Sequence, residues 1–206
     1  MCDKHLESRA CLAELLDEVE RMRRLLTDVL DICLHETGDL RPRRVELLLE
    51  PLLRSIQGRL RRQADKNGQR IELQVPSEHL AAYADPDLLE RILMNLVGNA
   101  INHGPRLSPI VLAARASEKD RIRLEVRDRG AIIPADSRAA IFRSLESRSS
   151  DNAVARGFGL GLTFCKLAVE VQGGTIGVSP SEDGGNCFHL ELPSRATTSA
   201  SSERTA

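Results

Sequence analysis

The spacing of apolar residues changes near residue 40, and this change divides the chain into two kinds of structure. Between residues 12 and 33, apolar side chains recur at alternating intervals of three and four, which is typical of a helix with a heptad seam. The seam consists of Leu12, Leu15, Val19, Met22, Leu26, Val29 and Cys33. One helix cannot bury such a stripe alone, so residues 1–40 are predicted to form a dimerisation-type helix that packs in a homodimer or a mixed helix bundle.

Gly38 and Pro42 interrupt the heptad pattern, and a second amphipathic stretch follows from Val45 to Leu60. Beyond residue 65, short alternating stretches typical of strands are mixed with helical ones. The predicted strands cover residues 70–76, 80–85, 109–117, 121–128, 174–180 and 187–193, and the predicted helices cover 88–104, 137–142 and 160–171. This mixture predicts an α+β domain over residues 41–193, with helices on one face of a sheet. Residues 194–206 contain no large apolar side chain and are predicted to be disordered.

Composition excludes several classes of protein. With 29 Lys and Arg against 30 Asp and Glu, the net charge is -1, so no bulk positive field attracts nucleic acid. No apolar run approaches the roughly 20 residues that span a bilayer. The five cysteines are scattered without metal-binding spacing and are predicted to be reduced thiols, and the mixed charges at the start of the sequence favour the cytoplasm.

Asn95, Asn99, Asn102 and His103 lie on the helix that Asp85 is predicted to cap. Residues four apart share one face of a helix, so the amides of Asn95 and Asn99 point the same way, where their oxygens could coordinate Mg²⁺ or water bound to phosphate. Asparagine on a helix is also commonly a solvated or capping residue. We call Asn95, Asn99, Asn102 and His103 the asparagine stripe; taken alone, it leaves both interpretations open.

Gly157, Gly159 and Gly161 alternate with apolar residues directly before the apolar stretch TFCKLAVEV. Glycines allow a backbone to approach phosphate closely, and the start of the following helix offers unpaired N–H groups. The pattern lacks the Lys-Ser/Thr ending of a Walker loop and the context of a dinucleotide-binding fold. It is also compatible with a plain loop.

Asp128 closes a predicted buried strand and is followed by Gly130. A carboxylate at the end of a buried strand is costly unless a donor pairs with it, and an adenine amine would serve as that donor. The alternative is an aspartate that only stabilises the turn at the end of the strand.

The order of these motifs resembles that of the ATP-binding domain of sensor histidine kinases, whose Bergerat fold is shared with gyrase and MutL. DPDLLERILMNLVGNAINHGP resembles the family's N box, VRDRGAIIPADSRAAIF its first glycine box, IFRSL its F box and GFGLGLTFCKLAVEVQGGTIGVSP its second glycine box. EVERMRRLLTDVLDICLHETGDL resembles the second helix of the family's dimerisation bundle. The resemblance implies a two-layer α/β sandwich of Bergerat type, with a long helix at its N-terminal end.

The resemblance also implies the roles of individual residues toward ATP and Mg²⁺. Asn99 would ligate Mg²⁺, Asn95 and His103 would lie beside the phosphates with Asn102 nearby, and Asp128 would accept a hydrogen bond from the adenine amine. Relatives that hydrolyse ATP rapidly carry a glutamate at the position of Asn95, so γ-phosphoryl transfer rather than rapid hydrolysis is implied.

The glycine boxes would surround the nucleotide. Gly130 would leave room for the base, and Gly157, Gly159 and Gly161 would close over the triphosphate, with Leu160 and Leu162 anchoring that segment to the core.

The sequence departs from the family in three respects. The acceptor motif, a histidine followed by an acid and then a proline, is absent, and neither His5 nor His35 occupies such a context. Ile132 stands where the first glycine box usually has a second glycine, and a β-branched residue disfavours positive φ and fills space near the nucleotide. F-box residue Leu145 also replaces a common aromatic side chain.

These observations leave several hypotheses. The first is a histidine-kinase-like module that binds Mg-ATP and phosphorylates a histidine supplied in trans, on a partner kinase that serves a response regulator. The second is a degenerate adaptor that binds a kinase or response regulator without catalysis. A nucleotide-gated binding protein of the anti-sigma-factor type is the third, and the bundle-like helix argues against it.

Overall fold

The computed structural model describes Val19 and residues 41–76, 79–143 and 160–194. In chain order the elements are β1 (Val45–Leu48), α1 (Leu49–Lys66), β2 (Arg70–Gln74), β3 (Ala81–Ala84), α2 (Pro86–His103), β4 (Pro109–Ser117), β5 (Arg121–Asp128), a 3-10 helix (Ala140–Phe142), α3 (Leu160–Glu170), β6 (Thr175–Pro180) and β7 (Asn186–Pro193). Val19 is helical, with 59% of its surface exposed. The rest of the predicted heptad helix and residues 195–206 of the predicted disordered tail lie outside the described residues. Ser194, the first residue of that tail, donates two hydrogen bonds to the Asp120 carbonyl and is therefore ordered.

Five strands form a mixed sheet in the order β2-β4-β5-β7-β6. Strands β2 and β4 are parallel, and the other neighbours are antiparallel. Strands β1 and β3 form a separate antiparallel pair. The predicted α+β class is confirmed, as is the hairpin between β4 and β5, whose turn uses positive φ at Lys119 and Asp120.

The helices cover one face of the sheet because the strands alternate in polarity. In β5, every second residue from Ile122 to Asp128 is buried, and the intervening side chains are partly exposed. The buried apolar residues of β5 join those of α1, α2 and α3 in one core. The core is almost entirely aliphatic, which agrees with an aromatic content of 2%.

Helix α2 begins where the sequence predicts, and its start is tied to two other segments. The carboxylate of Asp85 accepts hydrogen bonds from the N–H groups of Asp87 and Leu88 at 3.0 and 3.1 Å, with proline at the first helical position. The same carboxylate accepts from the Arg43 N–H at 2.6 Å, and the Asp85 N–H donates to the buried side chain of Gln172 at 2.7 Å. The helix that carries the asparagine stripe is therefore fixed at its N-terminus.

Two of the predicted elements differ in extent from those observed. The amphipathic stretch from Val45 to Leu60 begins as strand β1, because its backbone pairs with β3 from Val45 opposite Ala84, and only then continues as α1. The predicted helix over 137–142 is reduced to the 3-10 turn Ala140–Phe142. Cys165 and Cys187 are free thiols, as predicted for these two positions.

Within the part of the chain that the structure describes, no helix is both long and apolar enough to cross a membrane.

Candidate functional site

The asparagine stripe of α2 lies at the edge of the core. Asn95 and Asn99 are half-buried, whereas Asn102 and His103 are exposed. The opposite side of the helix is buried through Leu96, Val97, Ala100 and other apolar residues. Because the core fixes the rotation of the helix, it also fixes the direction of the polar stripe.

Asp128 ends β5 and is only 5% exposed. Its Oδ1 accepts hydrogen bonds from the Gly130 N–H at 2.6 Å and from the Asn186 side-chain amide at 3.2 Å. Burial raises the pKa of the Asp128 carboxyl above its usual value, although these hydrogen bonds and the nearby charge of His103 oppose that rise. The expectation that donors meet this buried carboxylate is confirmed.

Asn186, at the start of β7, holds the loop that follows Asp128. Its Nδ2 donates to Asp128 Oδ1 and, at 3.0 Å, to the Ala131 carbonyl, while its Oδ1 accepts from the Ile133 N–H at 2.9 Å. The side chain is 5% exposed, so these contacts are shielded from water. One amide therefore fixes both the carboxylate and the course of the backbone after it.

Glycines are required at two positions around Asp128. A Cβ on Gly130 would lie 2.9 Å from Asp128 Oδ1 and 3.1 Å from the carbonyl oxygen of His103, which shows how closely the loop approaches the end of α2. A Cβ on Gly185 would lie 2.1 Å from the carbonyl oxygen of Asp128, and Gly185 also has a φ of +82°. Side chains at either position would displace the carboxylate or its backbone.

The beginning of α3 lies against the middle of α2. A Cβ on Gly161 would be 3.4 Å from the Asn95 side chain, in ordinary contact. Leu162 is fully buried, as expected of a residue that anchors this segment to the core. Leu160 is the first residue of α3, but its side chain, like Gly157 and Gly159, lies outside the described residues.

Ile132 does not have positive φ, so the backbone conflict expected of a β-branched residue where the family usually has glycine does not arise. Among the described residues, positive φ outside glycine occurs only at Leu107, Lys119 and Asp120. Hydrogen bonds to Asn186 hold the peptide groups on both sides of Ile132, and its side chain is 55% exposed. The loop thus accommodates isoleucine without left-handed backbone strain.

The residues predicted from the sequence converge along α2. Asn95 faces the start of α3 at one end of the stripe, and His103 meets the Asp128–Gly130 loop at the other. Eight residues of helix rise about 12 Å, so an elongated ligand would find amides along one side and a buried carboxylate at one end. The described residues contain no group of three His, Cys, Asp or Glu side chains that could hold a metal ion. The amide oxygens of Asn95 and Asn99 are hard donors of the kind that a cation such as Mg²⁺ accepts.

Sequence reasoning missed Asn186 and Gly185. The Gly184-Gly185 pair lies between two predicted strands and is itself a hairpin signal, so the sequence contains a local pattern that identifies Gly185. The pairing of Asn186 with Asp128 depends on the register of β5 against β7, and no local pattern reveals that register.

Comparison with known proteins gives consistent matches. Residues 84–196 match the family described as histidine kinase-, DNA gyrase B-, and HSP90-like ATPase. Over 178 residues the chain is 32% identical to the adaptive-response sensory kinase SasA of Synechococcus elongatus, covering 86% of this chain and 45% of SasA. The chain therefore spans less than half the length of this relative.

Solved structures of histidine kinases are similar as well. Full-length ShkA in complex with AMPPNP has a TM-score of 0.65 at 28% identity, covering 75% of this chain and 32% of ShkA. The nucleotide-free catalytic domain of the histidine kinase ThkA has a TM-score of 0.64 at 25% identity, covering 73% of this chain and 95% of that domain.

Proposed function

Because the chain belongs to the histidine kinase-, DNA gyrase B-, and HSP90-like ATPase family, we propose that it binds Mg-ATP and transfers the γ-phosphoryl group to a histidine supplied in trans. The observation that carries this proposal is the buried carboxylate of Asp128, held by Gly130 and Asn186 beside the asparagine stripe of α2. The AMPPNP complex of the similar ShkA structure supports a nucleotide as the ligand.

Asp128 is proposed to recognise adenine. Its Oδ1 is occupied by Gly130 and Asn186, which orient the carboxylate and leave Oδ2 for a donor from the ligand. An exocyclic amine supplies such a donor. Because Asp128 is 5% exposed, water competes poorly for this contact, and its selectivity for an amine over a carbonyl is correspondingly strong.

The asparagine stripe of α2 is proposed to face the rest of the nucleotide, including its phosphates. Asn99 would ligate Mg²⁺ through its amide oxygen, a hard donor that suits a cation sharing its remaining ligands with phosphates and water. Asn95, Asn102 and His103 would hydrogen-bond the nucleotide along the same side of α2. Mg²⁺ supplies charge neutralisation of the phosphates when bound.

Positioning is the chemistry expected of this site. Asn95 carries an amide rather than a carboxylate, so it orients the phosphate end without removing a proton from water. An acceptor imidazole brought into line with the γ-phosphate would then be phosphorylated by proximity and charge neutralisation, and ADP would leave.

The acceptor histidine is proposed to come from another chain. His79, His103 and His189 all belong to the described catalytic body, and none lies on a bundle helix. The heptad residues 12–33 are proposed to mediate the homodimer or mixed bundle that brings the acceptor within reach, with a response regulator as the next recipient. A cytoplasmic location stays a prediction.

Calorimetric titration with AMPPNP and Mg²⁺ tests the nucleotide site directly. We expect saturable binding to the unmodified chain and an affinity at least about tenfold lower for Asp128→Asn, since the mutation replaces a charged acceptor. Asp65→Asn is the matched control, because Asp65 is an exposed aspartate at the end of α1 and should leave binding unchanged.

Absence of binding by a folded protein would refute the proposal and favour the adaptor hypothesis. Ile132→Gly then distinguishes a nucleotide site that is only blocked from one that has lost its affinity. Recovered binding would identify the exposed isoleucine side chain as the obstacle.

A further inference from the structure

The face of the sheet opposite the helices carries a charged groove of about 760 Å³. It crosses β2, β4 and β5 and reaches the β6–β7 hairpin. Small residues such as Ala113, Ser179 and Cys187 line it between long side chains. The charged lining residues are Arg115, Arg123, Arg127, Glu125 and Glu182. Three guanidinium groups and two carboxylates line the groove, and a third carboxylate, that of Glu191, pairs with Arg123 from beside it.

Glu125 accepts hydrogen bonds from two of the three arginines. Its Oε1 accepts from Arg123 at 2.8 Å and from Arg115 at 3.1 Å, and Arg123 also donates to Glu191 at 3.3 Å. Burial alone would raise the pKa of Glu125, but the hydrogen bonds from Arg123 and Arg115 outweigh it and lower that pKa. The carboxylate thus stays ionised and committed to these partners.

Arg127 is paired less completely. Its nearest approach to Glu125 is 3.9 Å from Nε to Oε2, which is longer than a hydrogen bond, and its Nη2 donates to the neutral amide of Gln74. The Nε is buried and has no hydrogen-bond acceptor among the described residues. The protein therefore balances the charge of Arg127 less fully than those of Arg115 and Arg123, and 24% of the Arg127 side chain stays exposed at the groove.

We propose that this groove binds a small dianion of the phosphate or carboxylate class, with Arg127 as the principal contact. Guanidinium groups hold such oxyanions through two parallel hydrogen bonds, and the hydroxyl groups of Ser179 and Ser181 supply further donors along the same groove. Asp128 belongs to the opposite face of β5, because neighbouring residues of a strand point to opposite sides. The proposed site is therefore separate from the candidate nucleotide site and does not depend on the function proposed above.

Nuclear magnetic resonance of the arginine Nε–H groups provides the test. The labelled full chain is titrated with inorganic phosphate and, separately, with succinate, each at ionic strength matched by NaCl. We expect a saturable shift of the Arg127 signal with at least one of the two probes, and the responding probe identifies phosphate or carboxylate as the preferred class.

Arg127→Gln should weaken the binding of that probe at least about tenfold, and Arg129→Gln should change it less than about twofold. Arg129 is the matched control because it follows the same strand but does not line the groove. Arg115→Gln is a second groove variant, since the Arg115 side chain is 57% exposed and its loss should leave folding intact.

Three results would overturn the proposal. These are a shift that does not saturate with either probe, equal weakening by the Arg127 and Arg129 substitutions, and loss of the response when AMPPNP saturates the protein. The last result would assign the anion to the nucleotide site.

Discussion

Asn186→Ala is expected to destabilise the protein strongly because three hydrogen bonds depend on that one buried side chain. The bonds join it to Asp128 Oδ1, the Ala131 carbonyl and the Ile133 N–H at 3.2, 3.0 and 2.9 Å. At about 1 kcal/mol each, their loss lowers the free energy of unfolding by about 3 kcal/mol. The loss should not be smaller, because the variant leaves the buried Ile133 N–H without its acceptor. Such a loss is a large part of the stability of a small domain.

Urea unfolding followed by circular dichroism measures this effect. With a slope of about 2 kcal/mol per molar urea, the midpoint should fall by about 1.5 M at an unchanged slope. Asn102→Ala is the control, because Asn102 is exposed and shares one 3.3 Å hydrogen bond with Gln63, so its loss should cost less than about 0.5 kcal/mol.

A loss below about 1 kcal/mol for Asn186→Ala would refute the reasoning. It would show that water or a shifted backbone satisfies the Asp128–Ile133 loop without the amide.

Three further predictions concern the turn between β6 and β7, the cap of α2 and the titration of His189. Gly184→Ala should lower the free energy of unfolding by about 1–2 kcal/mol through its φ of +85° alone. Gly185→Ala should lower it further and also abolish AMPPNP binding, because the new Cβ would collide with the Asp128 carbonyl. Equal losses for the two variants in urea unfolding would contradict this. Asp85→Ala should lower the free energy of unfolding by about 2 kcal/mol, and with it the melting temperature, because it removes the N-cap of α2. Asp87→Ala is the control, because Asp87 is exposed. Burial lowers the pKa of His189, so the unfolded chain binds the proton more readily, and stability falls as the pH drops below the ordinary histidine pKa of about 6.5. His189→Gln should therefore reduce the change in the free energy of unfolding between pH 7.5 and 5.5. An unchanged pH dependence would refute this.

The sequence predicts the elements of this fold well because each has a local signal. Alternation marks β4 and β5, and Asp85 followed by proline marks the start of α2. The exception is Val45 to Leu48, where pairing with the distant β3 overrides an amphipathic pattern.

The candidate site is only half predictable from the sequence. Asn95, Asn99 and Asp128 carry their own signals of type and spacing. Asn186 does not, because its importance arises from the register of β5 against β7, which is set by packing of whole strands. The absence of positive φ at Ile132 is likewise a property of the loop that Asn186 holds, and the glycine usual at this position in the family did not predict it.

The contact between Asp128 and Asn186 joins residues 58 positions apart in the chain. Closing a loop of that length costs entropy before any contact compensates for it, and contacts between distant residues slow folding. The β4–β5 hairpin, in contrast, needs only its short turn at Lys119 and Asp120. Most secondary structure should therefore form during refolding before β7 docks onto β5, and the carboxylate should acquire its orientation, and with it the capacity to bind a ligand, in the last kinetic phase.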